Sequence, residues 1–437
     1  MRMPLVLTVA LALAAAISAP RAADEGGNAR TGAAAFNDWQ GEAPGVAQLI
    51  RPQDLPAPYA TSSARNGSHL VPRPAGTALK LPPGFSVTAY ADGLREPRQM
   101  KRAPNGDIFV SESGTKRILV LRPGAGGKPQ VSVFAADLEY RPYGIAFYPP
   151  GPSPRFVYIA TEGQVLRYPY TVGDTAAQGP AQVIVPDVPV GHHWTRDIVF
   201  SPDGKRLLLS VGSGDNDGEI GMDKEVRRAD ILDYDPEGHD MRVYASGIRN
   251  PVTIQFYPGS GPGGGELWTT TNERDELGDN LPPDYVTRVK PGGFYGWPWF
   301  YIGGNQDPRH KGEHEDLKDK VAVPDVLIQA HSAPLGLAFY TGTAFPESYR
   351  GAAFVALHGS WNRGKRTGYE VVLVPVKDGK PTGEYVDFMT GFVANDGDVW
   401  GRPVGIVVAQ DGSLLVSDDG SGTIWRIAYD GERRAQQ

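Results

Sequence analysis

The 437-residue chain contains no cysteine. That absence excludes thiolate zinc sites, iron–sulfur clusters and the C-x-x-C-H attachment of a c-type haem. Any redox chemistry therefore needs a non-covalent organic cofactor. Without disulfides, an exported form must rest on its core and on any ion it binds. Runs of Lys and Arg are also missing: 43 basic against 50 acidic side chains give a net charge of −7. With no basic face, nucleic acid and anionic membrane are set aside as partners. No long helical period is present, and there is a single sustained apolar run, in MRMPLVLTVALALAAAISAPRAA at 1–23. It is too short and Ala-rich for a membrane span and has the layout of a secretory signal. Cleavage near Ala22 or Ala23 removes Arg2 and Arg21 and leaves a soluble product of net charge −9. The expected location is periplasmic or secreted, with no membrane span in the mature chain.

Glycine (55) and proline (39) are plentiful and spread along the whole chain, as in proteins built from many short strands and turns. Residues 24–80 are rich in Ala, Pro, Gly and Ser and read as an extended arm with one short helix near Gly45–Ile50. From Leu81 the texture becomes alternating strands punctuated by Gly and Asp-Gly turns. The units begin at Arg98, Arg141, Thr195, Ala245, Ala333 and Arg402. Repeats of about 40 to 50 residues, each a small antiparallel sheet, are the signature of a β-propeller. Six units, with Phe85–Ala91 completing the last, predict an all-β, six-bladed propeller over 81–431, preceded by the signal (1–23) and the arm (24–80) and followed by a short tail (432–437).

Residues just before each innermost strand of a propeller meet over the central channel although they lie far apart in sequence. By repeat phase these are His192 and His193, Arg249 and Asn250, and Arg402. A histidine can take a proton from an alcohol, although a loop histidine with a structural hydrogen bond has the same sequence appearance. Arg249, Arg402 and Arg363, the last in HGSWNR, offer planar forks suited to an anionic ligand, while Arg249-Asn250-Pro251 alone reads equally as a turn. The loop Asn272–Asp279 carries carboxylates that suit a hard cation such as Ca²⁺, or that merely face solvent. The aromatic patch Phe294, Tyr295, Trp297 and Trp299 reads chiefly as packing, with one ring lining the cavity.

In combination, HWTRDIVFSPDG (193–204), GIRNP (247–251), NERDELGD (272–279), GGFYGWP (292–298), HGSWNR (358–363) and WGRPVG (400–405) resemble the quinoprotein sugar dehydrogenases. These are the soluble glucose and aldose dehydrogenases that use pyrroloquinoline quinone (PQQ); the L-sorbosone dehydrogenase branch is the most similar. The resemblance spans about Leu81 to Gly431. It implies PQQ over the channel, with Ca²⁺ beside it and an external acceptor that takes the electrons. It places the catalytic base on His193, with His192 as the adjacent candidate: the family's histidine stands four residues before the arginine, whereas here His193 stands three and His192 four before Arg196, which leaves the choice between them open. Arg249 and Asn250 match the quinone-contacting pair, Arg249 also serving in catalysis, and Arg402 matches a cofactor-binding arginine. Arg363 stands in for the family's lysine. Glu273, Arg274, Asp275 and Asp279 are the implied calcium shell. The substrate would be an aldose or a sugar aldehyde such as sorbosone. The rival reading is a calcium-dependent propeller lactonase or esterase that activates water.

Overall fold

The computed structural model describes residues 29–259, 261 and 264–431. The expected signal segment 1–23 and tail 432–437 lie outside them. Six antiparallel four-stranded blades radiate around a channel, blade three extended by Gly293–Phe294 and blade five by Ala47–Leu49 and Arg30–Thr31. Their innermost strands are Pro97–Arg102, Pro142–Tyr148, Ile198–Phe200, Pro251–Phe256, Pro334–Phe339 and Pro403–Val408. Blade six is completed by Phe85–Ala91, which pairs with Thr423–Tyr429 and ties the start of the ring to its end.

Local sequence explains the inner ring. Five of the six inner strands begin with proline, tolerable where no ladder donor is needed. In blades one, four, five and six a register shift follows that proline at once, which turns the strand end toward the channel. In Pro-x-Gly of blades two, five and six the glycine lets neighbouring inner strands approach. A Cβ on Gly336 would sit 2.2 Å from the Val404 carbonyl oxygen, and one on Gly405 2.3 Å from that of Arg98.

Buried hydroxyls on second strands stitch the blades together. Ser111 donates to the Tyr143 carbonyl (2.6 Å), Thr270 to Leu335 (2.6 Å) and Ser417 to Arg98 (2.6 Å). Gln99 and Asp197 close the channel floor: Gln99 Nε2 donates to Asp197 Oδ2 and to Thr253 Oγ1, each at 3.3 Å.

The arm departs from expectation in one place. Instead of a helix near Gly45–Ile50, Ala47–Leu49 is a strand that pairs with Tyr385–Met389 at the outer edge of blade five. An open edge offers unpaired backbone groups, and satisfying them outweighs any local helical preference. Beside this seam lie three buried carboxyls, Glu42, Glu370 and Asp387. Glu42 accepts from the Gly368 amide (2.9 Å) and Thr367 Oγ1 (3.1 Å), and Asp387 from the Ala43 amide (2.9 Å).

Burial pushes all three up, with mutual repulsion adding for Glu42 and Glu370; Asp387 rises to about 7. A carboxyl raised on folding binds its proton more tightly in the folded state. Its contribution is therefore complete below the ordinary carboxylate range and is lost as pH rises through about 7. Stability should fall across this window, approaching about 1.4 kcal/mol per pH unit for a single group. Asp387→Asn should flatten the decline, and thermal unfolding between pH 5 and pH 8 would check it. A wild-type midpoint that does not fall over this window would contradict the assignment.

Candidate active site

At the end of the channel where the inner strands begin, a cavity of about 330 Å³ is walled by blades one, three, four and five. Blade three contributes His192 and His193, blade four Arg249 and Asn250, blade one Arg98, and the blade-five loop His358 and Trp361. The phase argument thus brings His192, His193, Arg249 and Asn250 together.

His193 is fixed by its own loop. Its Nδ1 lies 2.9 Å from the Ser213 carbonyl oxygen, so this nitrogen carries the proton and donates it there. Nε2 is left with its lone pair. Gly212 makes the approach possible, since a Cβ there would sit 2.6 Å from His193 Cβ and 2.4 Å from Asn250 Oδ1. Arg196, fully buried, braces the loop by donating to the carbonyls of His193 (2.5 Å), Thr195 (2.7 Å) and Pro189 (2.5 Å). Burial, and next the Arg249 charge, hold the His193 imidazole well below its ordinary range. It is neutral at pH 7. His192 is exposed at the rim, its ring edge-on to His193 with centroids 4.6 Å apart.

Arg249 is 2 % exposed and its donors are taken by protein. Nε donates to the Asn216 carbonyl (2.9 Å), Nη1 to the Glu273 carbonyl (2.7 Å) and Nη2 to Asn216 Oδ1 (3.0 Å). It therefore clamps two loops while presenting its charge to the cavity. Asn250 donates from Nδ2 to Asn272 Oδ1 (3.2 Å), and Asn272 in turn donates to the Pro334 carbonyl (2.9 Å). This chain leaves Asn250 Oδ1 buried without a partner.

Two of the expected arginines stand elsewhere. Arg402 Nε donates to Asp419 Oδ1 at 2.9 Å, and its side chain does not line the cavity. Arg363, 4 % exposed, donates to Gln329 Oε1 (3.0 Å) and to the Asn37 carbonyl (2.8 Å). It anchors the arm. Arg98 occupies the cavity wall instead, ion-paired with Asp419, with its Nε buried and unpartnered. Trp194 lies under it, 5.1 Å from guanidinium to ring centroid.

The expected calcium quartet does not converge. Arg274 is spent on Asp307 (2.8 Å) and Asp217 (3.2 Å). Asp279 lies outside the cavity, accepting from the Gly364 amide (2.9 Å). The Glu273 carbonyl is taken by Arg249. Glu273 and Asp275 do line the cavity, joined by Asp284. Burial, reinforced by neighbouring acids, pushes Glu273 up to about 8 and Asp284 to about 7. Burial also acts upward on Asp275, but the His331 hydrogen bond and the Arg249 charge hold it below its ordinary range. Among the described residues, no three His, Asp or Glu side chains come together as a metal cage. None of the aromatic rings at 294–299 reaches the cavity; Trp297 donates to the Asn216 carbonyl (3.0 Å) and packs.

Comparison with known proteins adds a family and a fold. A family model described as TrAA12-like matches residues 79–293 and 299–430. The pyrroloquinoline quinone-dependent pyranose dehydrogenase of Coprinopsis cinerea is 26 % identical over 412 residues, 79 % of this chain and 54 % of that protein. The chain thus spans about half the length of this relative. The solved holo form of the pyranose dehydrogenase PQQ domain from Coprinopsis cinerea superposes with a TM-score of 0.69 at 24 % identity, covering 82 % of this chain and 98 % of that one. A calcium structure of the Trichoderma reesei carbohydrate-active enzyme family AA12 gives 0.66 at 21 %, covering 81 % and 97 %. Both share the propeller fold.

Proposed function

Because the chain belongs to the TrAA12-like family of PQQ-dependent sugar oxidoreductases, we propose that it oxidises a sugar hydroxyl or hydrated sugar aldehyde with PQQ bound in this cavity and passes the electrons to an external acceptor. PQQ, when bound, supplies an o-quinone that accepts two electrons from the substrate carbon. The observation that carries the reading is the His193 imidazole, its Nδ1 held by the Ser213 carbonyl and its Nε2 without a partner among the described residues, lining a cavity walled by the cations Arg98 and Arg249. A general base and an anion-holding wall in one enclosure suit an anionic redox cofactor beside an alcohol.

The residues fit such a group. Arg98 Nε and Asn250 Oδ1 are buried polar atoms with no protein partner on residues that line the cavity. A polyanionic ligand that also carries polar ring atoms would answer both. His193 Nε2 takes the hydroxyl proton, while the Ser213 carbonyl holds the tautomer that keeps Nε2 open. Arg249 adds positive potential where negative charge grows. Toward calcium, this wall offers the carboxylates of Glu273, Asp275 and Asp284, which line it without converging as a cage. A sorbosone-like sugar aldehyde and an aldose are the substrates to try first. Export to the periplasm or medium belongs to the same proposal and rests on the segment 1–23.

Reconstitution of the purified apo-protein with PQQ and Ca²⁺ tests it. The expected result is a quinone absorbance that bleaches on adding sugar, with dye reduction across a panel of aldoses and sorbosone. Hydrolysis of lactones with no dye reduction would replace this reading by the hydrolase alternative.

A further inference from the structure

Beside Arg98 on the cavity wall, His358 and Asp419 take no part in the chemistry above. His358 lines the cavity from the loop after the blade-five strand Ala353–Leu357. Its Nε2 lies 3.1 Å from both carboxylate oxygens of Asp419. The same carboxylate pairs with Arg98 and accepts from Arg402 Nε at 2.9 Å. Asp419 is itself 8 % exposed. With three donors around it, two of them arginines, it is an acceptor only. The nitrogen of His358 that faces it must therefore carry the proton. Among the described residues Nδ1 makes no hydrogen bond, and the side chain remains 21 % exposed and lines the cavity.

Burial lowers the His358 imidazole below its usual range, Arg402 and Arg98 act in the same direction, and Asp419 opposes them. The ring is therefore neutral near pH 7, with an open lone pair on Nδ1. Arg98 is bonded to Asp419 beside it and keeps donors free. A donor and an acceptor are thus held side by side by one carboxylate. A bare carboxylate or phosphate would satisfy Arg98 and be repelled by the Nδ1 lone pair. A hydroxyl, which accepts one hydrogen bond and donates another, satisfies both.

We propose that Arg98 and His358, positioned by Asp419, form a hydroxyl-reading pair that fixes a second hydroxyl of the sugar while His193 works on the first. Arg98 donates to that oxygen and His358 Nδ1 accepts from it; Asp419 is the positioning residue. This rests on the sugar-oxidising reading for the identity of the ligand, but not for the tautomer.

Two measurements test it. The first is nitrogen-15 NMR of the histidines in the apo-protein at pH 7, with His358 assigned by loss of its signal in His358→Gln. The expected state is neutral and protonated on Nε2, shifting toward the other tautomer in Asp419→Asn, whose amide can donate to the ring. A charged ring, or one protonated on Nδ1, overturns the inference whatever the activity. The second uses the PQQ-reconstituted protein and a series of monodeoxy sugars. Wild type should reject one deoxy analogue, and His358→Phe should raise KM for the parent sugar roughly tenfold, with kcat little changed and that discrimination lost. A variant that discriminates as wild type does overturns the inference. If wild type oxidises no sugar at all, the functional reading fails, while the tautomer still decides whether His358 presents an acceptor.

Discussion

His193→Ala is expected to lower kcat with sugar by roughly 10²- to 10⁴-fold, the usual contribution of a positioned general base, while PQQ affinity changes only a few-fold. The asymmetry follows from the geometry. His193 touches the fold through Nδ1, which donates to the Ser213 carbonyl, and its loop is braced independently by Arg196. Removing the ring therefore leaves the loop path and the arginine wall in place.

The pH dependence supplies the sign. Burial and the Arg249 charge lower this imidazole well below its ordinary range, and a base works only when unprotonated. The kcat/KM profile should be flat through neutrality, with its acid limb displaced below the usual histidine value near 6.5. Wild-type steady-state kinetics across acid pH, with His193→Ala and His192→Ala alongside, separate the two rings. His192 sits at the rim with no fixed partner, so its loss should cost far less. An inactive His192→Ala beside an active His193→Ala would transfer the role.

Repeat phase made the ring of blades and part of the site readable because both follow from periodicity. Inner strands begin with Pro or follow Arg-Asp, and the residues preceding them in blades three and four do reach the cavity. Arg98 was missed because it follows Pro97 rather than preceding it, and the register shift after that proline turns it inward. His358 follows a second strand, where inner-strand phase has nothing to say, whereas His331 stands three residues before the blade-five inner strand and was legible by the same phase as His193. Arg363 was misplaced for another reason: its partner carbonyl, on Asn37, lies 326 residues away in the arm. The acidic loop shows the limit of adjacency. Glu273, Arg274, Asp275 and Asp279 are close in sequence, yet Glu273 and Asp275 turn toward the cavity and the other two away. Side-chain direction in a tight loop is set by contacts that sequence neighbours do not reveal. The strand at Ala47–Leu49 belongs with these cases, since only its distant partner makes it a strand.

Arg249→Ala is expected to weaken PQQ binding by roughly 10²-fold and to cost about 3–5 kcal/mol of stability, the range for breaking one side of a buried charged network. The guanidinium is a clamp as well as a charge. It holds the Asn216 carbonyl, Asn216 Oδ1 and the Glu273 carbonyl, and lies 3.5 Å from Asp275 Oδ2. Truncation strands these acceptors and removes the cation that stands against the half-buried Asp275. Arg249→Lys separates the two roles. It restores the charge without the planar fork, so PQQ affinity, measured by titration calorimetry on the apo-protein, should recover more than thermal stability does. The His193 limb gives an independent sign. Arg249 depresses that imidazole, so its removal should move the acid limb of kcat/KM upward toward the ordinary histidine range, and Arg249→Lys should move it back. If the limb stays put in Arg249→Ala while stability falls, the arginine is a brace alone and its electrostatic role is wrong. If the limb moves and affinity does not, the anionic cofactor is held by Arg98, the other cation of this wall.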